Sequence, residues 1–258
     1  MSTALITGAS AGIGKVFAEQ LAERGKNLVL VARSGDKLQE IASDLKDKYQ
    51  IRVDVIVKDL TELNAAQFVF DITQSQELTI DLLINNAGFG DYGEFSSRDG
   101  ERQVKMIQLN ILALVDLTHK FLPSMRLSGA GTIINISSIA AFQPMPYLSV
   151  YGASKAFVLN FSEALWAENR DRGVKVLVVC PGPTETDFFE KAKFPQTFTS
   201  KTSSISAPEE VVKDTLTALD TDKQIIVSGG FINSLITNLS RFIPRKAIVN
   251  VIEKQFRS

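Results

Sequence analysis

Short apolar runs alternate with amphipathic helical patterns along this chain, from Ala4 to Val227. The runs at residues 4–7, 27–31, 82–84 and 132–136 are apolar on both faces, as strands buried in a parallel sheet are. Strict alternation of this kind permits few architectures. It predicts an α/β fold, a doubly wound parallel sheet, with one domain over residues 1–230 and a basic amphipathic helical extension of that domain over residues 231–258.

Ligands of such sheets bind at the carboxyl ends of the strands, so the residues that follow each strand are the first candidates for function. Six candidates follow predicted strands: Gly8, Arg33, Asp59, Asn85, Ser138 and Pro181. Because parallel strands end at a common edge of the sheet, we expect these residues to converge on one site.

A glycine-rich turn, G-A-S-A-G-I-G at residues 8–14, separates the first strand from the first helix. Gly8 permits the tight turn, Gly12 lets the backbone approach a pyrophosphate, and Gly14 lets the helix pack closely on the strand. The helix N-terminus then presents free N–H groups and the positive end of its dipole to the phosphates. The spacing is G-x-x-x-G-x-G, and the flanking strand and helix favour a nucleotide-binding loop over an ordinary turn.

The end of the second strand bears on the choice of nucleotide. Proteins that bind NAD usually place Asp or Glu there to accept from the ribose 2′-OH, but in this chain the first acidic residue after the second strand is Asp36. Arg33 instead offers a guanidinium suited to bidentate capture of a 2′-phosphate, or it is a surface residue at a strand end. The cofactor is therefore predicted to be NADP (NADPH), preferred over NAD. Asp59 either accepts from the adenine amino group or begins a turn or caps the next helix.

Asparagines occupy two further positions of interest. Asn85 and Asn86, followed by Ala87 and Gly88, either tie the backbones of neighbouring strands together or form an ordinary turn. Asn110 lies in the middle of a helix predicted over residues 99–125, where Asn is disfavoured, so its side chain is either exposed or serves a purpose.

Tyr151 and Lys155 lie four residues apart in a helix predicted over residues 150–171, so they share one face. An ammonium group there would lower the pKa of the phenol from its usual value of about 10 and make it a general acid/base near neutral pH. Either Ser137 or Ser138, at the end of the preceding strand, could hold a carbonyl or carbinol oxygen. A Tyr-x-x-x-Lys pair is by itself also typical of a solvated helix face.

Composition excludes several classes of protein. The net charge of -1 does not attract nucleic acid, so no nucleic-acid partner is predicted. With one cysteine, Cys180, and one histidine, His119, the chain has no intramolecular disulfide, and no metal site is predicted. Residues 1–5 lack the features of a signal peptide, and no apolar run reaches the ~20 residues of a membrane span. A cytoplasmic protein with an inert, buried Cys180 is expected.

Two segments near the end of the chain are irregular or unusual. Residues 187–206 combine four phenylalanines with no steady period, which is typical of a lid. Residues 231–258 carry two apolar helical stripes with five basic residues and one acidic residue, a net charge of +4. Such an extension packs on its own domain or on a partner subunit, or lies on an anionic membrane, and the membrane contact is the less favoured of these.

Taken together, residues 3–228 closely resemble the short-chain dehydrogenase/reductase family. T-G-A-S-A-G-I-G at 7–14, N-N-A-G at 85–88, Y-G-A-S-K at 151–155 and P-G-P-T-E-T at 181–186 occur in the family's order. Tyr151 also follows Ser138 by thirteen residues. The resemblance implies a Rossmann fold and an NADP-dependent oxidoreductase that transfers a hydride between NADP(H) and a carbonyl or secondary alcohol, expected here to be hydrophobic.

The resemblance also implies roles for individual residues. Tyr151 would be the catalytic acid/base, Ser138 rather than Ser137 would position the substrate oxygen, and Lys155 would bind the nicotinamide ribose and tune Tyr151. Asn110 would hold a water that relays protons past Lys155. The implied cofactor-binding residues are Gly8, Ser10, Gly12, Ile13, Gly14, Arg33, Asp59, Asn86, Ala87, Gly88, Tyr151, Lys155, Pro181, Gly182, Thr184 and Thr186. Ala11 stands where some relatives carry a second basic residue, so the NADP preference depends on Arg33 alone.

Assembly and an alternative function follow from the same resemblance. A small carbonyl or alcohol substrate and a homo-dimer or homo-tetramer are expected, although residues 231–258 would block or replace the family's interface, cover the substrate cleft or touch a membrane. The alternative function is a non-catalytic, NADP-binding regulatory or membrane-associated scaffold of the same fold.

Overall fold

The computed structural model describes residues 2–195, 205–221, 223–230 and 243–257. Its centre is a seven-stranded sheet in which every neighbouring pair is parallel. The strands are β1 Thr3–Thr7, β2 Asn27–Ala32, β3 Val53–Val57, β4 Ile80–Asn85, β5 Gly131–Ile136, β6 Val174–Pro181 and β7 Ile225–Ser228.

The strand order is β3-β2-β1-β4-β5-β6-β7, so the direction of winding reverses between β1 and β4. A crevice forms at such a switch point, outside the carboxyl ends of the strands. The predicted doubly wound α/β fold is therefore confirmed. The division of the chain at residue 230 stays a prediction.

Helices cover both faces of the sheet. They are α1 Gly12–Glu23, α2 Gly35–Tyr49, α3 Ala65–Ser75, α4 Gly100–Ile107, α5 Leu114–Ser128, α6 Ser149–Asn169, α7 Phe188–Lys191, α8 Pro208–Ala218 and α9 Arg245–Phe256. Successive strand residues point to opposite faces, so Leu5 and Ile6 of β1 enter two different cores. Ile6 packs with Phe17 of α1 on one face, and Leu5 packs with Phe121 of α5 on the other.

The helix predicted over residues 99–125 is interrupted. A π-helical turn at Gln108–Ala113, which contains Asn110, joins α4 to α5, and the last turn of α5 reaches Ser128. Asp99 begins α4 by accepting hydrogen bonds from the backbone N–H groups of Glu101 and Arg102. A π turn widens the helix and is frequent at functional sites, a feature that residue spacing does not reveal. Within the described ranges, no helix has the length and apolar character needed to cross a membrane.

Candidate active site

The glycine-rich turn joins β1 to α1 with the geometry that its spacing predicted. Gly8 has a φ of +67° and Gly12 a φ of +52°, conformations that favour glycine. A Cβ atom on Gly14 would lie 2.3 Å from the carbonyl oxygen of Gly8, and one on Gly12 would lie 3.0 Å from Cγ2 of Thr186. The turn therefore needs bare backbone at these positions and leaves the N-terminus of α1 open toward the crevice, as a phosphate site requires.

Asn86 ties the end of β4 to the end of β1. Its Nδ2 donates to the carbonyl oxygens of Thr7, at 2.9 Å, and Gly8, at 3.3 Å. The backbone N–H groups of Asn86 and Ala87 both donate to Oγ1 of Thr7, each at 3.0 Å. Of the two readings of this segment, the tie between strands is the one found. Sequence reasoning missed Thr7, because a threonine at a strand end is also ordinary β-sheet composition.

A buried polar network fixes the strands beneath the site. Nδ2 of Asn85 donates to Oδ1 of Asn135 at 2.9 Å and to Oγ1 of Thr118 at 3.0 Å. Nδ2 of Asn135 donates in turn to Oγ of Ser162 at 2.9 Å. The network links β4 and β5 to α5 and α6, so it holds the strand ends in register. Thr118, Asn135 and Ser162 were not singled out in the sequence, because each interrupts an otherwise apolar pattern without forming a motif.

Arg33 and Asp59 lie side by side at the far end of the crevice. The Arg33 side chain is 73% exposed, and its Nη1 lies 3.6 Å from Oδ2 of Asp59. Oδ1 of Asp59 accepts from the backbone N–H of Thr61 at 2.9 Å and from its hydroxyl at 2.8 Å. Burial alone would raise the pKa of Asp59, but the Thr61 hydrogen bonds and the Arg33 charge hold it below its usual value. Asp59 therefore does begin a turn, whereas its contact with adenine stays a prediction.

Tyr151, Ser138 and Lys155 meet where β5 ends and α6 begins. The Ser138 hydroxyl lies beside the Tyr151 phenol, and its interaction lowers the pKa of that phenol. Nζ of Lys155 donates to the carbonyl oxygen of Ile136 at 2.8 Å and lies 5.8 Å from the centre of the Tyr151 ring. The Ser137 hydroxyl points the other way and donates to the carbonyl oxygen of Lys155 at 2.7 Å. Ser138, rather than Ser137, is thus the serine beside Tyr151.

The expected direction of the Tyr151 pKa shift was wrong for this structure. Burial raises the pKa of Tyr151 to about 12, and the interaction with the Ser138 hydroxyl only partly opposes that effect. Burial also lowers the pKa of Lys155 to about 8. Residue spacing puts the ammonium on the same helix face as the phenol but cannot reveal how completely both are removed from water. Tyr151 is therefore a protonated phenol at neutral pH, the form that can donate a proton.

Asn110 is buried, with 1% of its surface exposed. Its Oδ1 accepts from the backbone N–H of Phe89 at 3.1 Å, and its Nδ2 donates to the Phe89 carbonyl at 3.1 Å and to Oγ of Ser154 at 3.0 Å. A Cβ atom on Gly88 would lie 3.0 Å from Oδ1 of Asn110 and 3.4 Å from Nζ of Lys155. Asn110 thus holds the Gly88–Phe89 backbone beside Lys155, and the predicted water relay stays a prediction.

One cavity of about 1270 Å³ runs along the carboxyl edge of the sheet. Every predicted catalytic or cofactor-binding residue lines it except Gly14 and Asn110. Gly14 packs against the Gly8 carbonyl, and Asn110 holds the backbone beside Lys155. Its polar half extends from the glycine-rich turn to Arg33. Its apolar half is lined mainly by aromatic and aliphatic side chains, among them Phe89, Tyr92, Met145, Leu148, Phe188, Phe189, Phe194, Ile248, Ile252 and Phe256. Tyr151 and Ser138 lie between the halves.

The predicted lid and the end of the chain form the outer walls of the apolar half. The short helix α7 places the Phe188 ring 5.2 Å from the Tyr151 ring. Thr184 donates its hydroxyl to the carbonyl oxygen of Gly182 at 3.0 Å, and Oγ1 of Thr186 accepts from the backbone N–H of Phe188 at 3.3 Å. The remainder of the predicted lid, residues 196–204, lies outside the described residues.

The second apolar stripe of the C-terminal extension packs over the cavity. Ile248, Ile252 and Phe256 of α9 are buried in the same hydrophobic cluster as Tyr151. Val251 is 63% exposed but also lines the cavity, near its mouth. Of the roles considered for residues 231–258, covering the cleft is the one that the described residues 243–257 support. Residues 231–242 of the first apolar stripe lie outside the described residues, and the last member of that stripe, Ile243, also lines the cavity.

Comparison with protein families agrees with this geometry. The family model described as short chain dehydrogenase matches residues 2–196. The human very-long-chain 3-oxoacyl-CoA reductase is 32% identical over 256 residues, which cover 96% of this chain and 78% of that protein. The human inactive hydroxysteroid dehydrogenase-like protein 1 is 34% identical over 194 residues, covering 74% of this chain and 58% of that protein.

Solved structures give the same result. A short-chain dehydrogenase from Sphingobium yanoikuyae in complex with NADPH has a TM-score of 0.85 and 32% identity, covering 97% of this chain and 95% of its own. The bulky-bulky ketone specific alcohol dehydrogenase from Comamonas testosteroni has a TM-score of 0.81 and 31% identity, with coverages of 97% and 94%.

Proposed function

Because the chain belongs to the short-chain dehydrogenase family of oxidoreductases, we propose that it transfers a hydride between NADP(H) and the carbonyl or carbinol carbon of a bulky, apolar substrate. The observation that carries the proposal is the position of Tyr151. This buried, protonated phenol, beside the Ser138 hydroxyl, lies between a polar half-cavity of nucleotide-binding geometry and an aromatic half-cavity.

The polar half of the cavity fits a nicotinamide dinucleotide. Bare backbone at Gly8 and Gly12, together with the N-terminus of α1, forms a cradle for the pyrophosphate. Arg33 carries the specificity for NADP, because its exposed guanidinium is free to turn from Asp59 toward a 2′-phosphate. The Sphingobium relative, which was solved with NADPH, supports this assignment.

When bound, the cofactor supplies or accepts the hydride, and the chain's residues handle the substrate oxygen. In the reductive direction Tyr151 donates its phenolic proton to the carbonyl oxygen. Ser138 donates a hydrogen bond to the same oxygen and so stabilises the negative charge that develops there. The Lys155 ammonium, held by the carbonyl of Ile136, favours the phenolate that remains. General acid catalysis of this kind contributes about 10²–10⁴-fold.

The apolar half of the cavity supports a substrate with large apolar groups. Phe188 and Phe194 on one wall face Ile252 and Phe256 on another, so the binding energy comes from apolar contact rather than from charge. Two relatives are named for long or bulky carbonyl substrates, a very-long-chain 3-oxoacyl-CoA and a bulky-bulky ketone. We therefore propose a ketone with long or bulky apolar substituents, a 3-oxoacyl thioester among them.

The test is hydride transfer itself. The protein is incubated with NADPH deuterated at the transferred position and with a panel of ketones that ranges from small aliphatic to bulky and long-chain. The proposal predicts deuterium on the carbinol carbon, with the highest kcat/KM for bulky or long apolar ketones. The absence of transfer to every ketone in the panel, with NADPH bound, would overturn the proposed activity.

That outcome would support the second candidate function, a non-catalytic NADP-binding regulator or scaffold. The observation that favours it is the similarity to a human relative named as inactive. Against it, Ser138, Tyr151 and Lys155 are all present and meet at one point. The cytoplasmic location and the homo-oligomeric assembly stay predictions from the sequence.

A further inference from the structure

Two segments that are far apart in the chain close the apolar half of the cavity. One is α7 with the residues after it, up to Pro195, and the other is α9. The two touch each other where the Phe194 and Phe256 rings lie 6.4 Å apart, in an edge-to-face arrangement. Ring contact alone is adaptable, so the shape of the chamber depends on what else joins these two walls.

Tyr92 forms hydrogen bonds to both walls. Its backbone N–H donates to the carbonyl oxygen of Ala192, just after α7, at 2.7 Å. Its hydroxyl donates to the carbonyl oxygen of Phe256, in the last turn of α9. Its ring lies 4.9 Å from the Phe194 ring, and the residue is only 8% exposed. A single residue thus connects the loop after β4 to the end of the lid helix, through its backbone, and to the end of the chain, through its hydroxyl.

Asp91 holds the backbone of Tyr92 in position. Its buried carboxylate accepts hydrogen bonds from Arg98 at 2.6 and 2.8 Å, from Arg102 at 2.9 Å and from Gln103 at 2.7 Å. Arg102 also donates to the carbonyl oxygen of Lys191 at 2.7 Å. The C-terminal end of α7 is therefore fixed at two successive carbonyl groups, by Arg102 at Lys191 and by Tyr92 at Ala192, the residue just after the helix.

We propose that Tyr92 is a positioning residue that sets the size of the substrate chamber by tying α7 and α9 together, with Asp91 as the anchor of its backbone. The inference rests on the proposed function and adds a determinant of substrate size to it. The backbones of Ser138 and Tyr151 are held by β5 and α6, although the Tyr151 ring also contacts Phe188 of α7, and the cofactor half is supported by β1, β2 and β4. Loosening the link through Tyr92 therefore changes the fit of large substrates without changing the chemistry.

The test replaces the linking hydroxyl and keeps the ring. In Tyr92→Phe, the KM for a bulky apolar ketone is expected to rise about three- to tenfold, as the loss of one neutral hydrogen bond predicts. The kcat, the NADPH dissociation constant and the KM for a small aliphatic ketone are expected to change by less than about twofold. The matched control is Tyr147→Phe, whose ring stacks on Tyr92 at 6.2 Å but whose hydroxyl takes no part in the link.

A second measurement does not depend on turnover. Backbone hydrogen exchange is followed in the parent, Tyr92→Phe and Tyr147→Phe. Faster exchange at residues 245–256 in Tyr92→Phe alone, with α6 unchanged, supports the link. Unchanged exchange in α9, or an equal rise in KM for small and bulky ketones, overturns it. If the parent reduces no ketone, the proposed function fails, while the exchange pattern still decides whether Tyr92 holds α9.

Discussion

The cofactor half and the substrate half of the cavity are built from different kinds of structure. The cofactor half is formed mainly by backbone, a glycine turn and strand ends, which the Asn86 side chain ties together at the carbonyl groups of Thr7 and Gly8. The substrate half consists of side chains from α7 and α9, joined through Tyr92. A site made of backbone tolerates almost no added atoms, whereas a site made of aromatic side chains can change its volume by repacking. Substitutions in the cofactor half should therefore reduce stability and binding more than substitutions in the substrate half.

The largest effect is expected at Gly14, in the cofactor half. The Cβ atom of Gly14→Ala would lie 2.3 Å from the Gly8 carbonyl oxygen, so the turn or the helix must move. We expect the free energy of unfolding to fall by about 3 kcal/mol or more, and NADPH binding to be lost. Denaturant unfolding and NADPH fluorescence titration measure the two effects.

The matched control is Gly100→Ala, because nothing lies within 4 Å of a Cβ atom at the start of α4. Its stability should stay within about 1 kcal/mol of the parent. Equal stability and equal NADPH affinity for Gly14→Ala and Gly100→Ala would show that the turn is not closely packed.

The next effect concerns the choice between nucleotides. Arg33→Ala should weaken NADPH binding by about ten- to a hundredfold, because it would remove the proposed charge-assisted contact with the 2′-phosphate, and it should change NADH binding by less than about threefold. Dissociation constants for both nucleotides, measured at one salt concentration, test this. Arg24→Ala, an exposed arginine at the end of α1, serves as the control. Equal losses for the two nucleotides would contradict the role of Arg33.

A smaller effect is expected in the substrate half. Phe188→Ala removes the ring that lies 5.2 Å from Tyr151, and it should raise the KM for a bulky ketone by about tenfold, as the loss of one large apolar contact predicts. The NADPH dissociation constant should not change. The control for general effects on stability is Phe95→Ala, at a residue that is 64% exposed and does not line the cavity. If the KM is unaffected for ketones of every size, Phe188 does not contact the substrate.

The dependence on pH should reflect Lys155 rather than Tyr151. The pKa of Tyr151 is about 12, so its phenol keeps its proton through neutral and mildly alkaline pH. The pKa of Lys155 is about 8, so its ammonium is present below that pH and lost above it. Between about pH 7 and about pH 9, such a group goes from about 90% to about 10% charged, and reductive kcat/KM should fall by up to about ninefold. A flat profile to about pH 10 would show that the Lys155 charge is not needed.

The sequence predicted the two halves unequally well. The residues of the cofactor half, which include the glycine turn, Arg33 and Asn86, directly follow strands. Patterns only a few residues long are enough to predict both the turn and the strand ends. The outer walls of the substrate half depend on contacts between residues that are far apart in the sequence, such as the hydrogen bond between Tyr92 and Phe256. Residues 245–256 read as an amphipathic helix, but the pattern alone left their partner open among the cleft, a second subunit and a membrane.

Two features at the centre of the site also depended on tertiary structure. The direction of the Tyr151 pKa shift follows from burial, which helical spacing does not report. Asn110 lies in a π turn and forms hydrogen bonds with Phe89 and Ser154, contacts that residue spacing does not report. By contrast, the assignment of Ser138 over Ser137 rested on the thirteen-residue spacing to Tyr151, and the structure has the Ser138 hydroxyl beside the phenol.

Tyr151 lies between the two halves. We infer that it donates the proton during reduction but is not needed for the binding of either the cofactor or the ketone. The most direct test is a single-turnover measurement on Tyr151→Phe, with NADPH and the best bulky ketone, beside NADPH binding and ketone binding to the same variant. We expect both binding constants to stay within about threefold of the parent, and the rate of hydride transfer to fall by at least about 10²-fold. A variant that transfers hydride at the parent's rate would contradict the claim.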